Sequence, residues 1–180
     1  MWIDDSSIVQ KVYPLGHFHI EHWRPDPETG ELKFLQFIDF DNGISLQGLN
    51  SLLGVGFHGD TQITGWFLFP ISNTSYSALS SGDTAASHTG WVESAAYSET
   101  TRPSWGPAAP SGGSILNTTP IVMTINADLT ALVGMGMASV STKSSTSGVL
   151  WATGLFGSLQ NMNTSDVLKI TYTVTLTPTS

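Results

Sequence analysis

Apolar and polar positions alternate most cleanly near the end of the chain, over residues 166–177 (DVLKITYTVTLT). Leu168, Ile170, Tyr172, Val174 and Leu176 fall on one parity, and Lys169, Thr171, Thr173 and Thr175 on the other. A strand points successive side chains to opposite faces, so this pattern predicts one apolar face and one hydroxyl-rich face. Such a strand needs neighbours on both edges and a second layer over its apolar face.

The rest of the chain supplies candidates for both. Residues 16–23 alternate, with Phe18, Ile20 and His22 on one side. Residues 24–30 hold Pro25, Pro27 and Gly30, a turn composition, and residues 32–40 read as the returning strand of a hairpin. Asp41-Asn42-Gly43 reads as another turn. Leu46, Leu49, Leu52 and Leu53 recur at helical spacing, which predicts a short helix ended by Gly54. Residues 64–71 form a continuous apolar run, a strand covered on both faces, with Pro70 at its end or on an edge. Residues 72–90 read as a loop in which Asp83 caps a turn at 84–87. Residues 91–98 alternate again, and residues 100–113, rich in Pro and Gly, are irregular.

Ile121, Met123 and Ile125 share one face of a further strand. Residues 131–141 are strand-like, with Gly134 and Gly136 marking close approach of a neighbour. Residues 143–148 form a turn. Strands at 149–156 and 167–177 are joined by a loop at 157–165. Short strands at this spacing predict a mainly-β fold, an antiparallel β-sandwich or jelly-roll with one short α-helix. Residues 1–15 are expected to form an N-terminal arm or edge strand, and 16–180 a single sandwich domain.

Composition narrows the function. The chain of 180 residues carries a formal charge of −8, which argues against a nucleic-acid surface. Ten of its fourteen acids precede residue 91, so the acidity is uneven. There is no cysteine, so neither a disulfide nor a thiolate site is available. No apolar run approaches the roughly 20 residues of a membrane helix. The N-terminus MWIDDSSIVQK opens with acids where a secretory signal is basic, so a protein made in the cytosol, and kept there unless an assembly carries it out, is expected.

Candidate chemistry is sparse. His17 and His19, two apart on a strand, share a face as metal-binding strands require. The cupin pattern would need an acid three or four residues on, and Glu21 follows His19 by two. The ordinary reading puts both histidines on the solvent or interface face of the hairpin. Asp39 and Asp41 share a strand face too, and Asp26, Glu28 and Glu31 crowd the turn as solvated acids. No Gly-x-Ser-x-Gly elbow or phosphate loop is present. No catalytic residue and no cofactor is assigned. Six tryptophans suit either core packing or a contact surface. Arg102, Pro103 and Trp105 are the expected protein-contact residues, because they lie in the long irregular loop.

Residues 48–57 (GLNSLLGVGF), 61–66 (TQITGW), 83–91 (DTAASHTGW) and 97–105 (YSETTRPSW) are similar to small virion-associated proteins of tailed bacteriophages. Residues 144–150 and 166–176 complete the resemblance, which is collinear from about residue 16 onward. It implies a structural, non-enzymatic virion protein, of the sort that decorates or cements a capsid or sits at the head–tail junction. Its implied partners are the major capsid protein or other virion proteins and further copies of itself, with a trimer expected by analogy. The rival from another class is a carbohydrate-binding or metal-binding, cupin-like module.

Overall fold

The computed structural model describes residues 14–128 and 130–176. The expected arm over residues 1–15 lies outside them as far as residue 13. Among the described residues nine strands run β1 (Pro14–Pro25), β2 (Leu32–Ile44), β3 (Phe67–Ser72), β4 (Val92–Glu93), β5 (Ser114–Leu116), β6 (Ile121–Thr124), β7 (Thr130–Ala138), β8 (Leu150–Met162) and β9 (Val167–Leu176). Helix α1 (Leu46–Leu53) follows β2 and passes into a π-helical turn, Gly54–His58. Every strand pair is antiparallel.

β9 holds the central place that its alternation predicts. Leu168, Ile170 and Tyr172 are wholly buried. One edge pairs with β1 from Pro14↔Leu176 to Trp23↔Val167. The other edge takes β5 and then β6 along its length. β1 and β2 form the expected hairpin. At its tip Gly30 has φ 74°, and the Asp26 carboxylate accepts the N–H groups of Glu28 and Thr29 at 2.9 and 3.0 Å.

The strand path runs β4-β3-β7-β8-β2-β1-β9-β5. Its weak point is β8–β2, where only Gly43↔Thr153 and Ile44↔Ala152 pair. Beyond that seam the strands separate and the sheet doubles over. β2, β1, β9, β5 and β6 then face β8, β7, β3 and β4 as a sandwich. Phe18 and Phe40 of one layer pack with Met135, Met137 and Phe156 of the other in the main core. Polar groups cross the same space: the indole N–H of Trp151 donates to the Tyr172 hydroxyl at 3.2 Å, and that of Trp105 to the Tyr172 carbonyl at 3.1 Å.

β3 is covered on both faces, as its unbroken apolar run predicts. Leu68 enters the main core, while Phe69 and Ile71 join Ala85, Trp91, Ala138 and Leu150 in a second cluster under the 73–91 loop. Gly136 is what lets Phe69 lie there, because a Cβ on Gly136 would run into its ring. Pro70 sits inside the strand. Its carbonyl accepts from Ser94, so its missing N–H falls on the side where β4 pairs only briefly.

Five expectations need correction. Asp41-Asn42-Gly43 is no turn but the continuation of β2. Gly16 opposite Asn42 has no Cβ, which leaves room for the buried Asn42 amide to donate to Tyr172 at 3.3 Å. The helix does not end at Gly54; it widens into the π-turn and stops where Gly59 adopts φ 81°. Residues 157–165 are not all loop. Residues 156–159 bulge out opposite Val133, and pairing resumes at Gln160↔Leu132 and continues to Met162↔Thr130. Residues 91–98 yield only the two-residue β4. Asp83 does not cap the 84–87 turn; it accepts from the Ser80 N–H and the Trp91 indole.

Candidate docking surface

His17 and His19 lie half-exposed on the outward face of β1, opposite Asp41 and Asp39 of β2 in register. His17 Nδ1 is 2.8 Å from Asp41, and His19 Nδ1 is 2.7 Å from Asp39. The cross-strand partners thus occupy Nδ1 of each histidine. Among the described residues no three His, Cys, Asp or Glu side chains converge so as to hold a metal ion. At the hairpin tip Asp26 serves the turn, and Glu28 and Glu31 are exposed. Lys33, then the Glu28 and Thr29 N–H groups, hold the Asp26 carboxyl below its ordinary range.

Two charged clusters that the sequence did not reveal are buried. Asp166 is inaccessible and is gripped by Arg24 Nε at 2.6 Å and Nη2 at 2.8 Å, by His22 Nε2 at 2.8 Å and by the Asn163 N–H. This ties the loop before β9 to β1. Glu93 meets Arg102 through Nε at 3.0 Å and Nη2 at 2.6 Å, and also accepts from the Tyr97 hydroxyl and the Ser144 N–H. Burial, then Glu93, pushes the Tyr97 phenol far up; burial pushes Tyr172 up to about 12. Both phenols therefore act as neutral hydrogen-bonding groups. Burial lowers the Lys143 ammonium, which lies 3.6 Å over the Tyr97 ring and donates to its carbonyl. These groups fasten irregular loops to the sandwich; each is consumed by a partner.

The same interior holds two of the three expected contact residues. Arg102 and Trp105 are 4% and 7% exposed, and Pro103 is half-buried. The Arg102 and Trp105 side chains serve the interior, binding Glu93 and the Tyr172 carbonyl.

A candidate contact surface is the outward face of the hairpin. Phe34 and Phe37 are three residues apart, and strict alternation would send them to opposite faces. A bulge changes that: His22 pairs with Gln36 and Trp23 with Phe34, which leaves Leu35 as the extra residue. The inserted residue puts Phe34 and Phe37 on one face with ring centroids 4.6 Å apart. Trp23 meets Phe34 edge-on at 5.4 Å, and His19 extends the row beside Phe37 at 5.1 Å. Lys169 lies 4.4 Å over the Trp23 ring, and Glu21 accepts its indole N–H. The row is therefore pre-set, yet Phe34 and Phe37 stay 42% and 58% exposed and form a contiguous apolar patch.

Beside it runs an open backbone edge. β2 pairs with β1 on one side, but on the other only Gly43 and Ile44 meet a strand among the described residues. Leu32 and Leu35 are exposed along that edge. Unpaired N–H and C=O groups next to apolar side chains form a ready template for another chain.

A second apolar region surrounds α1. Ser45 caps the helix by accepting the Gly48 N–H, and Gly48 lies against the Trp151 backbone, where a Cβ would not fit. Leu46, Leu52 and Leu53 remain exposed, and Phe57 of the π-turn is 89% exposed. Behind the helix an apolar cavity of about 400 Å³ opens between the layers, walled by Trp66, Trp105, Trp151, Ile115, Leu52 and Leu176. No helix among the described residues is long and apolar enough to cross a membrane. No family model, curated protein or solved structure matches the chain.

Proposed function

We propose that the chain is a non-enzymatic structural protein of a tailed-phage virion, a decoration protein that cements neighbouring capsid subunits. One observation carries this reading: the Trp23–Phe34–Phe37 row stands exposed beside the open edge of β2. Aromatic anchors in a rigid setting dominate protein contacts, and a free strand edge adds main-chain hydrogen bonds. Repeated over a shell, many modest contacts of this kind give large total adhesion. The collinear resemblance to small virion proteins supports the same assignment. Further copies of the chain and the major capsid protein are the proposed partners, and the virion is the proposed location.

A neck, tail or fibre-anchoring position uses the same surface with fewer copies. An aromatic row of this kind also stacks sugars, which favours a carbohydrate-binding module as the reading from another class. Co-sedimentation of the purified chain with shells that lack it decides among these. The decoration reading expects saturable binding at a fixed ratio to the shell protein, lost on Phe37→Asp. Absence of shell binding with retention on a polysaccharide matrix would overturn it.

A further inference from the structure

The open edge of β2 dictates what can pair with it. The Ser45 N–H donates to the Trp151 carbonyl on that side, and from Gln36 to Gly43 the pairing of β2 with β1 is regular. Main-chain groups of alternate residues point to the same edge. The N–H and C=O groups of Phe37, Asp39 and Asp41 therefore point away from β1, where no strand meets them among the described residues. Their side chains stand on the outward face of the sheet, in register with Glu21, His19 and His17. A strand added at this edge sets alternate side chains directly beside Phe37, Asp39 and Asp41.

Charge decides which strand fits. The nearby cations are already engaged: Lys169 stands opposite Glu21, Lys33 pairs with Asp26, and Arg24 pairs with Asp166. Asp39 and Asp41 are exposed, and among the described residues the only groups paired with them are His17 and His19. A second copy fits poorly. The two-fold register that uses the whole stretch sets Asp39 against its own copy, and like charges directly opposite are destabilising. We infer that β2 accepts an antiparallel segment of a different chain that reads cation-x-cation-x-apolar from its N-terminal end. Its Lys or Arg side chains face Asp41 and then Asp39, and its apolar residue covers Phe37. The inference rests on the docking face of the proposed function and names the chemistry of the segment that occupies it.

A synthetic peptide, Thr-Thr-Lys-Val-Lys-Val-Leu-Thr-Thr, tests this on the full-length protein, against a control with Glu for both Lys. Fluorescence anisotropy is expected to show binding about tenfold tighter for the Lys peptide at roughly 10 mM salt. The advantage is expected to fade near 1 M, where charges are screened within about 3 Å. Asp39→Asn/Asp41→Asn is expected to bind the two peptides alike, with an unchanged circular dichroism spectrum. Amide exchange locates the peptide: protection is expected to rise at Phe37, Asp39 and Asp41 but not at Ile38 and Phe40, whose N–H groups face β1. Equal binding of both peptides, or protection confined to another surface, overturns the inference. So does absence of binding, which leaves the carboxylates as a guard against strand pairing. The shell assay separates this result from the virion reading. Shell binding lost on Phe37→Asp yet indifferent to the double Asn change keeps the virion reading and overturns the basic segment. Peptide binding at β2 without shell binding supports the basic segment and removes the virion reading.

Discussion

Phe34 and Phe37 touch on the outward face of β2, their ring centroids 4.6 Å apart, because the bulge at Leu35 cancels the parity that would separate them. This contact builds the proposed docking face, and its exposure makes it separable from the fold. Phe37→Asp is expected to weaken shell or self-association at least tenfold. Since Phe37 is 58% exposed, its melting temperature should stay within about 3 °C of the parent's. Calorimetry alongside the binding measurement checks both. A large loss of stability would mean that the row serves the fold instead.

Glu93 and Arg102 form an ion pair whose side chains are 3% and 4% exposed. Removing one partner strands a buried charge, so Arg102→Ala is expected to cost about 3–5 kcal/mol. Glu93 also holds the Tyr97 hydroxyl and the Ser144 N–H, so Glu93→Ala should release the 139–149 connection as well. Denaturant unfolding of both single variants and the double should show the double costing less than the sum of the singles. Strict additivity would show that the pair is not coupled.

The Asp166 carboxylate gives a pH prediction. Burial alone would raise its pKa, but Arg24, the Asn163 N–H and His22 outweigh burial and hold it below the ordinary value. A carboxyl depressed in the folded state adds stability that is complete above its unfolded pKa of about 3.9 and is lost as pH falls through the folded value. Asp166→Asn should therefore be less stable than the parent at pH 7. The gap should narrow steadily below about pH 4. Melting curves across pH 2–7 check this, and a gap that widens in acid would contradict the assignment.

How far the sequence reveals this molecule depends on the range of each interaction. β9, the hairpin, the covered β3 and the Ile121–Met123–Ile125 face are legible because period-two alternation is local and one face of each is buried. Asn42-Gly43 misleads for the opposite reason. In isolation it is turn chemistry, but Gly16 and Tyr172, both distant in sequence, turn it into a buried strand position. Arg102 and Trp105 look available because they lie in a long loop. Their partners, Glu93 and the Tyr172 carbonyl, are fixed only by the fold. The Phe34–Phe37 row left one signal in the sequence, two aromatics three apart inside a strand, and only a bulge reconciles that spacing with a shared face.

The central claim is that many copies of this chain adhere to a capsid. Quantitative mass spectrometry of purified particles, with the major capsid protein as internal standard, counts them directly. The account predicts hundreds of copies per particle in a fixed ratio to the shell subunit. A dozen or fewer would move the chain to the neck or tail, and its absence from the particle would contradict the account altogether.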